Sequence, residues 1–225
     1  MSIIAISRCS YTHGKNIAEA VAVKLGYACI SRESLLEVSP EYNLPGIKLI
    51  KEIPNNLNQT SCWNDRYVSY IRSSLLRHLK KDNIVYHGFC GHVFFKDIDH
   101  VLKVQITADL LDRVNLVMER DGVSRNEALV FIKTMDAARK KWFQNLYNID
   151  ISNAEQYDIA INISKFSYTK AVNIICKAVQ LKHFQTTPES QKVVDELLFN
   201  AEIEAGVFSD NDIERVSLMA CLMGV

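Results

Sequence analysis

Residues 3–18 read Ile3-Ile4-Ala5-Ile6-Ser7-Arg8-Cys9-Ser10-Tyr11-Thr12-His13-Gly14-Lys15-Asn16-Ile17-Ala18. The apolar run at the front predicts a short strand buried on both faces. Ile17, Ala18, Val21, Ala22 and Leu25 recur at helical spacing, so a helix opens at about Lys15 and stops at Gly26. Strand, tight polar loop, and helix with Gly14-Lys15 at its start form the layout of a phosphate-binding loop. A helix N-terminus offers unpaired N–H groups and a positive dipole end to an anion, and a lysine there reaches the outer phosphates. The pattern G-x-x-x-x-G-K-[ST] is met only in part. Cys9 stands at the first glycine, and Asn16 replaces the hydroxyl that would ligate Mg²⁺. Spacing alone leaves two readings open, a phosphate loop and a plain strand-to-helix turn.

Working outward, strands alternate with helices. Tyr27–Ile30, Ile84–Gly88, Val101–Ile106 and Ile159–Ile163 read as strands. Helices are predicted over 61–80, 110–120, about 124–147 and 168–181, with Ser124 and Glu127 placed as a capping box. Ser31 reads as the N-cap of a further short helix, and prolines 40, 45 and 54 break the stretch beyond it. The alternation predicts an α/β fold with a mostly parallel sheet and helices on both faces. Thr186-Thr187-Pro188 reads as a linker. The expected organisation is a domain over 1–183, a linker over 184–188, and an appendage over 189–225 built from helices at 189–205 and 210–222.

Bulk properties exclude several classes. The 225 residues carry 26 basic and 26 acidic side chains, a net charge of +0. No general electrostatic attraction to nucleic acid or to an anionic membrane follows, and neither partner is expected. Six scattered cysteines without a C-x-x-C pair argue against a zinc site or a disulfide framework. No protein metal site is expected, and the reading is a cytoplasmic protein without a signal peptide or membrane span.

The ordered pieces resemble the cytidylate kinase-like family of P-loop nucleoside monophosphate kinases. Ile4-Ala5-Ile6-Ser7-Arg8 through Ile17-Ala18 resembles its opening strand and loop. Leu25-Gly26-Tyr27 with Ile30-Ser31-Arg32-Glu33 resembles its second segment, and Tyr86-His87-Gly88-Phe89-Cys90-Gly91-His92 the turn of one branch. Asp112-Arg113 to Arg120 and Asp136 to Lys140 are similar to its lid helices, and Tyr157 to Asn162 to its last strand. The resemblance implies a P-loop kinase-like three-layer sandwich with a helical lid and C-terminal helical appendage, acting on nucleotide substrates. It implies transfer of the ATP γ-phosphoryl, with Mg²⁺, to CMP, dCMP or a related small phosphate acceptor.

On that resemblance Lys15, Asp136 and Arg139 would be catalytic. His13, Gly14, Lys15, Asn16, Arg113 and Arg120 would hold ATP. Arg8, Arg32, Gly88, His92 and Lys140 would hold the acceptor, arginine suiting a phosphate because its fork pairs two oxygens. Asp136 would hold a lid arginine or reach a metal through water. The departures at Cys9, His13 and Asn16 favour a second expectation, a catalytically weak or inactive nucleotide-binding protein with a regulatory or assembly role. A homodimer through the C-terminal helices is a further expectation.

Overall fold

The structure, a computed structural model, describes residues 2–8, 12–31, 65–88 and 91–205. Five strands form one parallel sheet in the order β2-β3-β1-β4-β5, where β1 is Ile3–Arg8, β2 Ala28–Ser31, β3 Ile84–His87, β4 Val101–Thr107 and β5 Ile159–Asn162. The helices are α1 (Gly14–Leu25), α2 (Asp65–Leu79), α3 (Gly91–Phe94), α4 (Leu110–Asp121), α5 (Arg125–Tyr147), α6 (Tyr168–Ala178) and α7 (Pro188–Ala205). The predicted helix at 210–222, the helix opening at Ser31, Arg32, and the side chains of Trp63, Tyr67 and Tyr70 lie outside the described residues.

Period-two alternation splits the core by face. Ile4 and Ile6 of β1 join α1 and α6 through Ile17, Val21, Val172 and Ile175. Ile3 and Ala5 face the other way, onto Leu75, Leu76 and Leu79 of α2 and Val194, Leu198 and Ala201 of α7. The result is the three-layer sandwich. The C-terminal helix α7 shares the core of one face, because Val194, Leu198 and Ala201 recur at helical spacing toward α2. Thr186, in the expected linker, donates to Asp82 Oδ1 at 2.7 Å.

The lid is α4 with the first half of α5. These pack through a small cluster of their own, Val114, Val117, Ala128 and Ile132. The Ser124–Glu127 capping box opens α5, with Glu127 bonded to the Ser124 N–H at 2.9 Å. The far end of α5 belongs to the main core through Phe143. One 23-residue helix therefore ties lid to sheet. Among the described residues no helix is long and apolar enough to cross a membrane.

Candidate active site

The carboxyl end of β1 is the centre of the site, as open α/β sheets dictate. On one face of the sheet α1 begins. Gly14 is buried there because a Cβ would come within 2.8 Å of Arg8 Cβ. The His13 side chain does not cap the helix, and no acidic residue occupies its first turn. The Gly14 N–H is spent on the Thr12 carbonyl and the Ile17 N–H on the His13 carbonyl, so the Lys15 and Asn16 N–H groups are the ones open to an anion among the described residues. Lys15 stands at the same end, 59% exposed, its ammonium 3.7 Å from Glu19. The Asn16 backbone carbonyl accepts a 2.6 Å bond from the Tyr168 hydroxyl.

On the other face lies a cavity of about 430 Å³. Arg8, Asp136, Arg139 and Lys140 supply its charges; Ser7, His92, Gln105, Thr107, Ser152 and Tyr157 supply neutral polar groups. Arg139 and Lys140 thus meet a single carboxylate among the lining residues, while the Arg8 side chain lies against the start of α1. That carboxylate is already engaged. Arg113, its side chain 8% exposed, grips Asp136 with two N–H groups at 2.8 and 2.7 Å. The fork-to-carboxylate geometry is the strong form of an ion pair. Arg139 donates to the Arg8 backbone carbonyl, which fastens α5 to the end of β1. Lys140 reaches Asp150 at 2.9 Å.

The neutral wall is a hydrogen-bonded chain. Ser7 Oγ lies 2.8 Å from His92 Nδ1, and His92 Nε2 lies 3.5 Å from the Tyr157 hydroxyl. Tyr157 donates to the Ile151 carbonyl at 3.4 Å, and the Gln105 amide donates to that same carbonyl at 3.3 Å. The His92 ring packs on Tyr157 and Phe143, with centroids 4.8 and 5.4 Å apart. Burial, reinforced by the Arg139 charge, pushes the His92 imidazole down to about 3. It is a neutral hydrogen-bonding group at physiological pH, which rules it out as a phosphate-pairing cation.

Among the residues singled out from sequence, Arg8, His92, Asp136, Arg139 and Lys140 come together at the cavity, and Arg113 reaches it through Asp136. His13, Gly14, Lys15 and Asn16 gather at the start of α1. Arg120 is elsewhere. It ends α4, bonded to Asp121 at 2.6 and 2.5 Å. Gly88 does not line the cavity. Its N–H pairs with the Ile6 carbonyl at 3.2 Å while its φ of +152° turns the chain. Sequence reading missed Ser7, Gln105, Thr107 and Tyr157. For two of them a signal existed: Lys103, Gln105 and Thr107 alternate with the buried Val104 and Ile106, marking one face of β4 that leaves the core.

Sheet order, the helix start after β1, and the lid define a P-loop kinase-like protein. An uncharacterized protein from Eubacterium ventriosum superposes with a TM-score of 0.62 at 23% identity, covering 81% of this chain and 100% of that one. A gluconokinase from Sinorhizobium meliloti superposes at 0.51 with 11% identity, covering 88% and 97%. These likenesses carry the fold. The sequence model of the cytidylate kinase-like family matches residues 3–165, and the chain belongs to that family. It is 33% identical over 100 residues to the cytidylate kinase of Pyrococcus horikoshii, 44% of this chain and 51% of the relative. It is also 33% identical over 103 residues to that of Archaeoglobus fulgidus, 46% and 56%. The chain spans about half the length of the curated relatives it matches.

Proposed function

We propose that this protein is a nucleoside monophosphate kinase, moving the γ-phosphoryl group of ATP to CMP, dCMP or a related small phosphate acceptor. The observation that carries the reading is the pairing of two anion-fitted sites at the end of one strand. An uncapped glycine-lysine helix start, with the Arg8 side chain against it, lies on one face of β1, and a cavity carrying Arg139 and Lys140 on the other. Family membership and the archaeal cytidylate kinases among its relatives support the choice of acceptor.

The residues present fit ATP. Gly14 lets α1 begin directly against the Arg8 side chain, the Lys15 and Asn16 N–H groups are open to an anion, and Lys15 is unburied and able to swing from Glu19 to a phosphate. Mg²⁺ keeps most of its waters and rides largely on substrate phosphates. Asn16 would lend it an amide oxygen, directly or through water, and Asp136, held by Arg113, would reach it only through water. When bound, the ion neutralises charge on the transferred group. Arg139 and Lys140 stand on the acceptor side, where fixed cations favour the charge that spreads over the phosphoryl in flight.

The test is ADP formation by the full chain with ATP, Mg²⁺ and a panel of nucleoside monophosphates, alongside Lys15→Ala. Turnover should fall by a factor of about 10²–10³ or more in the variant. Absence of turnover with every acceptor in the panel would refute the reading. One observation favours a second, non-catalytic reading with a regulatory or assembly role: Asn16 brings no hydroxyl to the loop.

A further inference from the structure

The cavity is graded. Its charges come from the strand end and from α5, namely Arg8, Asp136, Arg139 and Lys140. Ser7 and Gln105, which pair in register on β1 and β4, sit one position nearer the sheet interior. A ligand with a phosphate held at the cations therefore places its uncharged part against Gln105, His92 and Tyr157.

Gln105 is oriented there. The Ile151 carbonyl only accepts, so the amide must present an N–H to it at 3.3 Å; turned over, two acceptor oxygens would face each other. The second donor onto that carbonyl is Tyr157 O–H. Having spent its proton there, the Tyr157 oxygen accepts from His92 Nε2–H, which leaves Nδ1 to accept from Ser7 O–H. Donation runs one way from Ser7 to Ile151, and the amide, a second donor to the same carbonyl, cannot flip without breaking its own bond there. Among the described residues the Gln105 carbonyl oxygen and its other N–H have no protein partner, and Gln105 lines the cavity.

A carboxamide of fixed orientation offers one acceptor beside one donor. Cytosine presents an amino group next to an unprotonated ring nitrogen, and uracil presents an oxygen next to a ring N–H. With the phosphate anchored, both bases arrive in one placement. The amide then makes two hydrogen bonds with one of them and sets acceptor against acceptor and donor against donor with the other. We propose that Gln105 is the specificity-determining residue of this site, selecting a 4-amino pyrimidine monophosphate over its 4-oxo counterpart. This rests on the kinase reading above.

The experiment is steady-state kinetics of the full chain with CMP and UMP, comparing wild type with Gln105→Met, which keeps the length and removes the polar pair. Wild type should favour CMP in kcat/KM by about 10–100-fold, the discrimination of one good bidentate contact. In Gln105→Met the ratio should collapse to within about 3-fold while the KM for ATP stays unchanged. Tyr157→Phe removes the other donor to Ile151 and should retain most of the selection, which separates base reading from a structural role. An unchanged ratio in Gln105→Met, or a wild-type preference for UMP, would overturn the proposal while leaving the kinase reading standing. Should no acceptor turn over, CMP and UMP binding without ATP decides by calorimetry. CMP affinity lost in Gln105→Met supports the inference although the kinase reading has failed; no binding of either nucleotide overturns it. Should Gln105→Met not fold, Gln105→Leu, which also removes both polar groups, is read the same way.

Discussion

Lowering the pH from 7 to 5 should destabilise this protein by about 2 kcal/mol through His92 alone. The ring is 2% exposed, and it is enclosed by Ser7, Tyr157, Phe143 and the Arg139 charge. Burial first, then that guanidinium, holds its pKa at about 3, whereas in the unfolded chain it returns to about 6.5. As pH falls below 6.5 the unfolded state takes up the proton and the folded state does not. Stability therefore declines with falling pH until the folded value is reached. At pH 5 the unfolded histidine is almost fully protonated, and integration gives about 2 kcal/mol relative to pH 7. Any folded value well below 5 gives nearly the same loss, so the magnitude does not hinge on the precise shift. The assay is urea denaturation at the two pH values for wild type and His92→Gln. Removing the imidazole lowers stability at both, but the difference between them should shrink by about 2 kcal/mol, roughly 1 M in midpoint. His100, also buried and shifted down, contributes in the same direction to both proteins and cancels. Equal pH dependence in the two proteins would show that His92 is not held neutral.

Three further outcomes follow from the packing. Asp136→Ala leaves the buried Arg113 fork without this carboxylate; with Asp136 itself 41% exposed, the loss should be about 1–3 kcal/mol, and thermal melting should fall by about 5 °C. Leu198→Ala on α7 should cost about 2–5 kcal/mol by chemical denaturation, because the side chain lies in the core beside Leu75 and Leu79; a change under 0.5 kcal/mol would mean α7 is dispensable. Arg8 touches Gly14 and lines the cavity, so Arg8→Met should raise KM for both substrates by about tenfold or more in steady-state assays, and an effect on one substrate alone would contradict its position between the sites.

The sheet and most helices were legible because their signals are local. Apolar runs marked β1, β3 and β4; Gly26 and Gly122, both left-handed in the structure, marked the ends of α1 and α4. The Ser124–Glu127 box marked the start of α5. Local periodicity has no purchase on α3, which spans four residues and buries Val93 and Phe94, with Phe95 and Ile98 just beyond. Its first residue illustrates the same limit. Gly91 is required because a Cβ would strike the Tyr86 ring at 2.8 Å, a contact invisible in the spacing. The cationic half of the cavity could be anticipated because arginines and lysines on helices are conspicuous. The neutral half could not, since Ser7 and His92 are 85 residues apart and Gln105 meets Ile151 across 46. Nothing in a single sequence pairs such residues until the sheet order is fixed.

The same alternation that divides the core also brings the two sites together. Ser7 and Arg8 are consecutive on β1, so the pleat sends them to opposite faces. Ser7 anchors the neutral wall through His92, while the Arg8 side chain lies against the start of α1. The Arg8 backbone carbonyl, between them, receives Arg139 from the lid helix. Helix start, cavity and lid therefore converge on two residues. Phosphoryl transfer asks for this economy: two anionic groups must be brought in line against their mutual repulsion, with little covalent chemistry for the protein to perform. On the proposed reaction, cations held by backbone and ion pairs at the end of a buried strand are organised before either substrate arrives. Interactions already in place need no reorganisation when the charge moves. The Arg113–Asp136 pair, which ties α4 to the part of α5 carrying Arg139, extends that organisation from the sheet into the lid.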